Sequence, residues 1–286
     1  EKQFDNVMIE TWREVITSAN TDGNLLAQLC SLPMINYLLR QTSDADIAAL
    51  FAAKKFIMET LSVQLQDCWL QVYQDLCTSE PYQYSVVGMA NRAWKNRCLY
   101  FLVRSDPASY AKRAFEQLQN SDNMTDSMGA LMALTHVDSS YRDQALSLFY
   151  QRWHHEPLVY NKWLAVQARS IRVDTLDQVQ ALLSHELFDA KNPNNVYALL
   201  CEFGNNPVAL HLNDEQKGYQ LLADQVIQID SYNPQVAAKL LGPLTRWQQL
   251  GEQRGARMRA QLERIAQQPS LSSDVAEIVQ KSVSLQ

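Results

Sequence analysis

The sequence predicts an all-α fold in which helices pack as antiparallel pairs, one pair stacked on the next. Three observations predict it. Apolar residues recur at three- and four-residue spacing almost throughout. Helix-start signals, several of them a capping side chain followed by proline, return at near-even intervals. Glycine is scarce, with 8 in 286 residues, and no run alternates long enough for a strand; Val86-Val87 is too short.

Each element follows in order. Asp44 to Leu76 carries Ile47, Leu50, Phe51, Phe56, Ile57, Leu61, Leu65, Cys68, Trp69 and Val72 at helical spacing, which predicts one or two long helices. Asp106-Pro107 opens a helix, because aspartate caps and proline suits a first turn whose N–H lacks a partner anyway. The next opens near Asn123 to Asp126, with Asn123 or Thr125 as cap. Another opens near Ser139 and carries Ala145, Leu148, Phe149 and Trp153 on one face. Glu156-Pro157 opens the next, Thr175-Leu-Asp-Gln178 reads as a capping box, and Asn192-Pro193 opens the sixth. Starts about 16 to 18 residues apart make two helices repeat about every 35. Asn206-Pro207 and Asn233-Pro234 continue the punctuation. One pair cannot bury its apolar face alone, so neighbours must stack. Tetratricopeptide consensus residues are absent, which predicts a looser superhelical stack of HEAT or armadillo type, with residues 1–286 as one helical-repeat domain.

Composition narrows the function. Hydrophobic residues make up 47% and charged residues 20%, the balance of a soluble globular chain. The formal net charge of -6 argues against nucleic acid as a partner. No apolar run approaches the roughly 20 residues that span a bilayer, which argues against a membrane. Arg254, Arg257, Arg259 and Arg264 interleave with Met258, Leu262 and Ile265 as the solvated face of a helix. Five cysteines, at 30, 68, 77, 98 and 201, form no C-x-x-C pair and predict buried free thiols in a reducing, cytoplasmic compartment. The opening EKQFDNV carries no signal-peptide pattern and no initiator Met, which reads as a processed chain or a piece of a longer one.

Candidate chemistry is thin. His154-His155-Glu156 groups three possible metal ligands, but helical neighbours point about 100° apart and cannot converge. It reads as a polar corner between helices. His185-Glu186-Leu-Phe-Asp189 approaches the zinc-peptidase H-E-x-x-H, yet has Asp189 where the second histidine belongs and no third ligand at a suitable spacing. No nucleophile elbow, phosphate loop or dinucleotide fingerprint occurs. No catalytic or metal-binding residue is assigned; the chain reads as a scaffold, a lid or a binding surface.

Several stretches together resemble the C-terminal helical domain of bacterial aminopeptidase N, the zinc-dependent alanyl aminopeptidases. They are Asn123-Met-Thr-Asp126, Pro157-Leu-Val-Tyr-Asn-Lys-Trp163 with Gln167-Ala168, Ser184-His185 through Asn192-Pro193-Asn194, Gly218-Tyr219, Asn233-Pro234-Gln235-Val236-Ala237, and Ser272-Ser-Asp-Val-Ala-Glu-Ile-Val. The resemblance implies a division of labour. The family's catalytic domain carries H-E-x-x-H, its zinc, and the G-x-M-E-N motif that holds the substrate amine; neither motif is in this chain. The C-terminal helices arch over that domain, close a cavity and limit which peptides enter. The implied partners are the catalytic and N-terminal domains of the same polypeptide, with peptides as substrates. The competing class is an independent helical-repeat module that binds a protein through its concave face.

The resemblance also implies cavity-lining residues: Gln235, Lys239, Tyr197 and Asn194. Gln235, Lys239 and Arg246 fall near one helix face, while Val236, Leu240, Leu244 and Trp247 line another and should pack inward. Family members commonly carry arginine at the Lys239 position and a basic residue at that of Tyr197. Lysine keeps the charge but loses the planar fork for a carboxylate. Lys239 either meets substrate or lies on a solvated face. Beyond it, Gly242-Pro243 predicts a kink that leaves the Lys239 carbonyl without its helical donor.

Overall fold

The computed structural model describes residues 5–18, 21–41, 45–78, 80–212 and 217–284. It is all-α: among the described residues there is no strand, only one isolated parallel bridge, Ala45 with Leu250. No helix is long and apolar enough to cross a membrane among the described residues. The chain forms two compact units, Glu1–Pro33 with Ala52–His154, and Met34–Phe51 with His155–Gln286.

In the first unit the helix Val86–Ser105 packs against Gly23–Leu29, Gln66–Asp75, Pro107–Asn120 and Met124–Thr135. Its Trp94, Cys98, Leu99, Phe101 and Leu102 are buried. Trp69 stacks on Phe101 at 4.3 Å between centroids, with Trp12 and Trp94 edge-on to it. The Trp69 indole donates to the Leu61 carbonyl, so this large ring is buried without an orphaned N–H. The predicted long helices form as Ile47–Gln64 and Gln66–Asp75; Asp44 lies outside the described residues. Val86 and Val87 begin a helix and remain exposed.

Asx capping behaves as local chemistry dictates. Asp106 accepts from the Ser109 N–H, Asn123 from that of Asp126, Ser139 from that of Tyr141, and Asn192 from that of Asn194. Asn123, not Thr125, is the cap. The capping box is a correction: Thr175 is the first residue of helix Thr175–Leu183, and its hydroxyl donates to the Ser170 carbonyl. On helix Ser140–Trp153, Ala145, Leu146 and Phe149 are buried while Leu148 and Trp153 are only half-buried. The thiols are all free but unequal: Cys30 and Cys98 are buried, Cys68 and Cys201 half-buried, and Cys77 exposed, against expectation.

In the second unit the helix Lys217–Asp230 packs against Pro234–Leu240 and Glu252–Ala266, and Ser273–Ser284 packs against both of the latter. Met258, Leu262 and Ile265 are fully buried as the periodicity requires, but the four arginines are half-buried rather than solvated, and Arg254 turns inward to donate to the His211 carbonyl. Buried Asp230 accepts from the backbone and hydroxyl of Ser272, which ties the last helix down.

Candidate functional site

The helix Pro234–Leu240 presents two of the four candidate residues. Asn233 caps it by accepting from the Val236 N–H at 3.3 Å, and Pro234 occupies the first turn. Val236, Ala237 and Leu240 are buried, which leaves Gln235 and Lys239, one turn apart, exposed on the other side. Beyond Leu240 the structure corrects the sequence. The helix does not kink; it ends, and the chain resumes as a 3₁₀ turn, Leu244–Gln249. The Lys239 carbonyl is not left open but accepts from the Gly242 N–H at 3.3 Å. Arg246 thus falls in that turn and not on the helix that carries Gln235 and Lys239. Arg246 instead lines a small cavity with Asn36, His211 and Gln249, and burial followed by the nearby Arg40 lowers its pKa. Leu244 is fully buried, and the half-buried Trp247 donates its indole N–H to the Ser282 carbonyl.

Tyr197 and Asn194 come from the segment that begins at Asn192-Pro193. Helix Pro193–Val196 passes into a π-helical turn, Tyr197–Cys201, and then into Glu202–Gly204. Its inner side is fixed: Val196, Leu199, Leu200 and Phe203 are fully buried, and Asn195 donates to Asn161 at 2.7 Å. A π turn inserts one residue and shifts the phase of the residues after it, a geometry common at functional sites. Asn194 is exposed and Tyr197 half-buried.

The two positions read as departures from the family meet. Lys239 Nζ lies 3.9 Å from the centroid of the Tyr197 ring. Such a contact is worth about 0.5–1 kcal/mol when exposed, enough to orient a flexible side chain without consuming its charge. Lys239 makes no ion pair among the described residues. Glu202 is not available to it: Arg169 holds Glu202 by two parallel bonds of 2.6 Å. Cys201 completes the group, and sequence reasoning missed it. Burial pushes its thiol up to about 11, Lys239 opposes this and Glu202 adds to it, so it stays protonated at neutral pH. Gln235 and Asn194 are exposed on their own segments.

Gly204 positions the site from behind. A Cβ there would lie 2.8 Å from Pro243 Cγ, so the absent side chain is what lets the Gly242-Pro243 turn pack on the end of the Tyr197 segment. Gly204→Ala is expected to cost about 1–3 kcal/mol by overpacking, measured as a lowered urea midpoint. An unchanged midpoint would show that the turn moves freely.

The residues that approach a zinc motif do not fit a metal. His185 lies past the end of helix Thr175–Leu183, and its Nδ1 is engaged by the Tyr160 hydroxyl at 3.1 Å and the Leu187 N–H at 3.2 Å. Asp189 accepts from the Lys191 N–H. His154, His155 and Glu156 form an exposed turn. Among the described residues no three His, Cys, Asp or Glu side chains are grouped to hold a metal ion.

Known proteins resemble this one along nearly its whole length. The model of the DUF3458_C family, described as a domain of unknown function with ARM repeats, matches residues 1–284. Aminopeptidase N of Caulobacter vibrioides is 34% identical over 90% of this chain and 30% of its own length. Aminopeptidase N of Escherichia coli is 31% identical over 96% of this chain and 31% of its own. The crystal structure of Legionella pneumophila aminopeptidase A in complex with aspartic acid superposes with a TM-score of 0.88 at 26% identity, covering 99% of this chain and 34% of that one. The chain thus spans about a third of the length of the relatives it matches. All-α architecture, helix-pair punctuation and the match over residues 1–284 agree: the chain belongs to the DUF3458_C family of ARM-repeat domains, the part it shares with the aminopeptidases N.

Proposed function

We propose that this chain is the non-catalytic C-terminal domain of a cytoplasmic, zinc-dependent aminopeptidase N. Its helices close the active-site cavity of the catalytic domain and limit which peptides enter. Zinc and the chemistry belong to that catalytic domain; this chain's residues bind and exclude. Gln235, Lys239, Tyr197 and Asn194 line the cavity and meet the far end of the bound peptide. The observation that supports this best is the Lys239–Tyr197 contact, an exposed ammonium oriented by a ring and left without a counter-ion. Such a group is ready to take a peptide carboxylate.

The resemblance implies a second basic residue at the Tyr197 position, so one positive charge is available here where two are expected. Peptides ending in an acidic or free carboxylate group are therefore held less tightly here. Lys239→Arg combined with Tyr197→Arg in the full-length enzyme is expected to tighten such peptides about tenfold, since a bidentate guanidinium adds a charge-assisted bond. Amidated peptides should not respond. Equal affinities for the variant and the parent enzyme would sink the assignment of these residues. The domain reading has its own test: the coding sequence before Glu1 should specify H-E-x-x-H and G-x-M-E-N, and a start codon immediately before Glu1 would overturn it in favour of an independent module.

A further inference from the structure

A second site lies in the first unit and is independent of the aminopeptidase reading. A cavity of about 760 Å³ is formed where the helices Gln66–Asp75 and Pro107–Asn120 end and Val86–Ser105 and Met124–Thr135 begin. Cavities that hold small ligands run from about 300 to 1,000 Å³. Lys95 and Asp126 neutralise each other in its wall at 2.7 Å. The two other cations, Arg92 and Arg113, make no ion pair among the described residues. Each guanidinium is instead placed near a tyrosine ring, Arg92 at 4.8 Å from the Tyr82 centroid and Arg113 at 5.8 Å from that of Tyr73. Arg92 Nε is enclosed with no acceptor. A buried donor without a partner calls for an ion, a water or a ligand group. Gly88 also lines the cavity, and a Cβ there would meet the Ser85 hydroxyl at 2.8 Å and Arg92 Nη1 at 3.0 Å.

The charge of the lining selects among ligands. Asp75, Glu80, Glu116 and Asp122 line the same cavity. The Tyr82 backbone N–H, the Asn123 amide and, last, the Arg92 charge hold the Asp122 carboxyl below its ordinary range. A polyanion such as phosphate is repelled by this many carboxylates, and a cation leaves both arginines unanswered. A neutral molecule answers neither. Tyr82 binds the two opposite charges into one unit: its ring faces Arg92 and its N–H holds Asp122. An ammonium and a carboxylate on a single carbon match that juxtaposition.

We propose that this cavity binds a free α-amino acid as its zwitterion, the carboxylate on Arg92 with Arg113 as second cation and the ammonium on Asp122. The test is calorimetric titration of the 286-residue chain with L-glutamine and L-alanine. N-acetyl-L-alanine, L-alaninamide and inorganic phosphate form the comparison series. Saturable binding of an amino acid, weakened at least about tenfold when either charged end is blocked, is the expected result. Arg92→Gln should weaken it by a similar factor, and Gly88→Leu, which keeps both arginines but fills the space, should abolish it. Circular dichroism shows whether each variant is folded, and the blocked ligands test the idea on the unaltered chain regardless. No saturable binding of either amino acid, tighter binding of phosphate, or indifference to blocked ends overturns the proposal.

Discussion

Acidifying the chain from pH 7 to pH 4 is expected to remove several kcal/mol of stability, and most of the loss before pH 5 is expected to vanish when His136 and His211 are replaced. His211 is buried, with Nδ1 2.8 Å from the Tyr219 hydroxyl. Burial first, then the Arg254 and Arg246 charges, push it down to about 3. Burial and then Arg104 push His136 down to about 3 as well, and its Nδ1 is enclosed without a partner. Unfolded, both return to about 6.5. The folded values are depressed, so the unfolded chain takes up protons first as pH falls. Stability is full above about 6.5 and is lost toward about 3, at roughly 1 kcal/mol per pH unit for each ring. The carboxyls with lowered values, Asp106, Asp122 and Glu277, titrate further down. Urea midpoints measured between pH 6.5 and 5 therefore isolate the histidines. His136→Phe keeps a ring against Tyr100, and His211→Gln keeps an acceptor for the Tyr219 hydroxyl. A double variant with the parent's slope in that window would refute the account.

Legibility in the sequence tracks the range of the interaction that decides each feature. Helix starts at Asp106, Asn123, Asn192 and Asn233 are readable because the capping side chain and its N–H lie within three residues. Thr175 misleads because its hydroxyl has another local acceptor, the Ser170 carbonyl, which satisfies it inside a buried corner. Gly242-Pro243 announces a break, but a kink and a full stop share that signal. The deciding factor is a turn that gives the Lys239 carbonyl a new donor in Gly242. The π turn at Tyr197–Cys201 has no residue signature; it lies where Leu199, Leu200 and Phe203 are fully buried. The Lys239–Tyr197 contact joins segments far apart in the chain. The sequence points to both positions through resemblance, yet only the fold shows that the ring supports the charge. Cys201 stays invisible because a lone cysteine in an apolar run reads as packing.

Asp126→Ala is expected to destabilise the chain by roughly 3–5 kcal/mol, the cost of leaving a buried charge without its partner. Lys95 is 8% exposed and Asp126 7%, so neither end of the pair reaches bulk water. Asp126 accepts from Lys95 at 2.7 Å, from Asn123 at 3.1 Å and from Asn96 at 3.0 Å. Gln117 then bridges the Asn96 side chain and the Asp126 carbonyl while accepting from the Tyr73 hydroxyl. Alanine removes three acceptances at once, and the Lys95 ammonium has no second carboxylate at ion-pair distance among the described residues. The melting midpoint should fall by ~10 °C for a chain of this size. The pair itself contributes less than its breakage costs, because desolvating two charges nearly offsets their attraction. Lys95→Met with Asp126→Leu should therefore recover most of what Asp126→Ala loses, although Asn96 and Asn123 then lack their acceptor. Chemical denaturation of the two variants decides the point. If the double variant is as unstable as Asp126→Ala, the cost lies in the amide network around Asp126 rather than in an uncompensated charge, and Asn96→Ala should then match it.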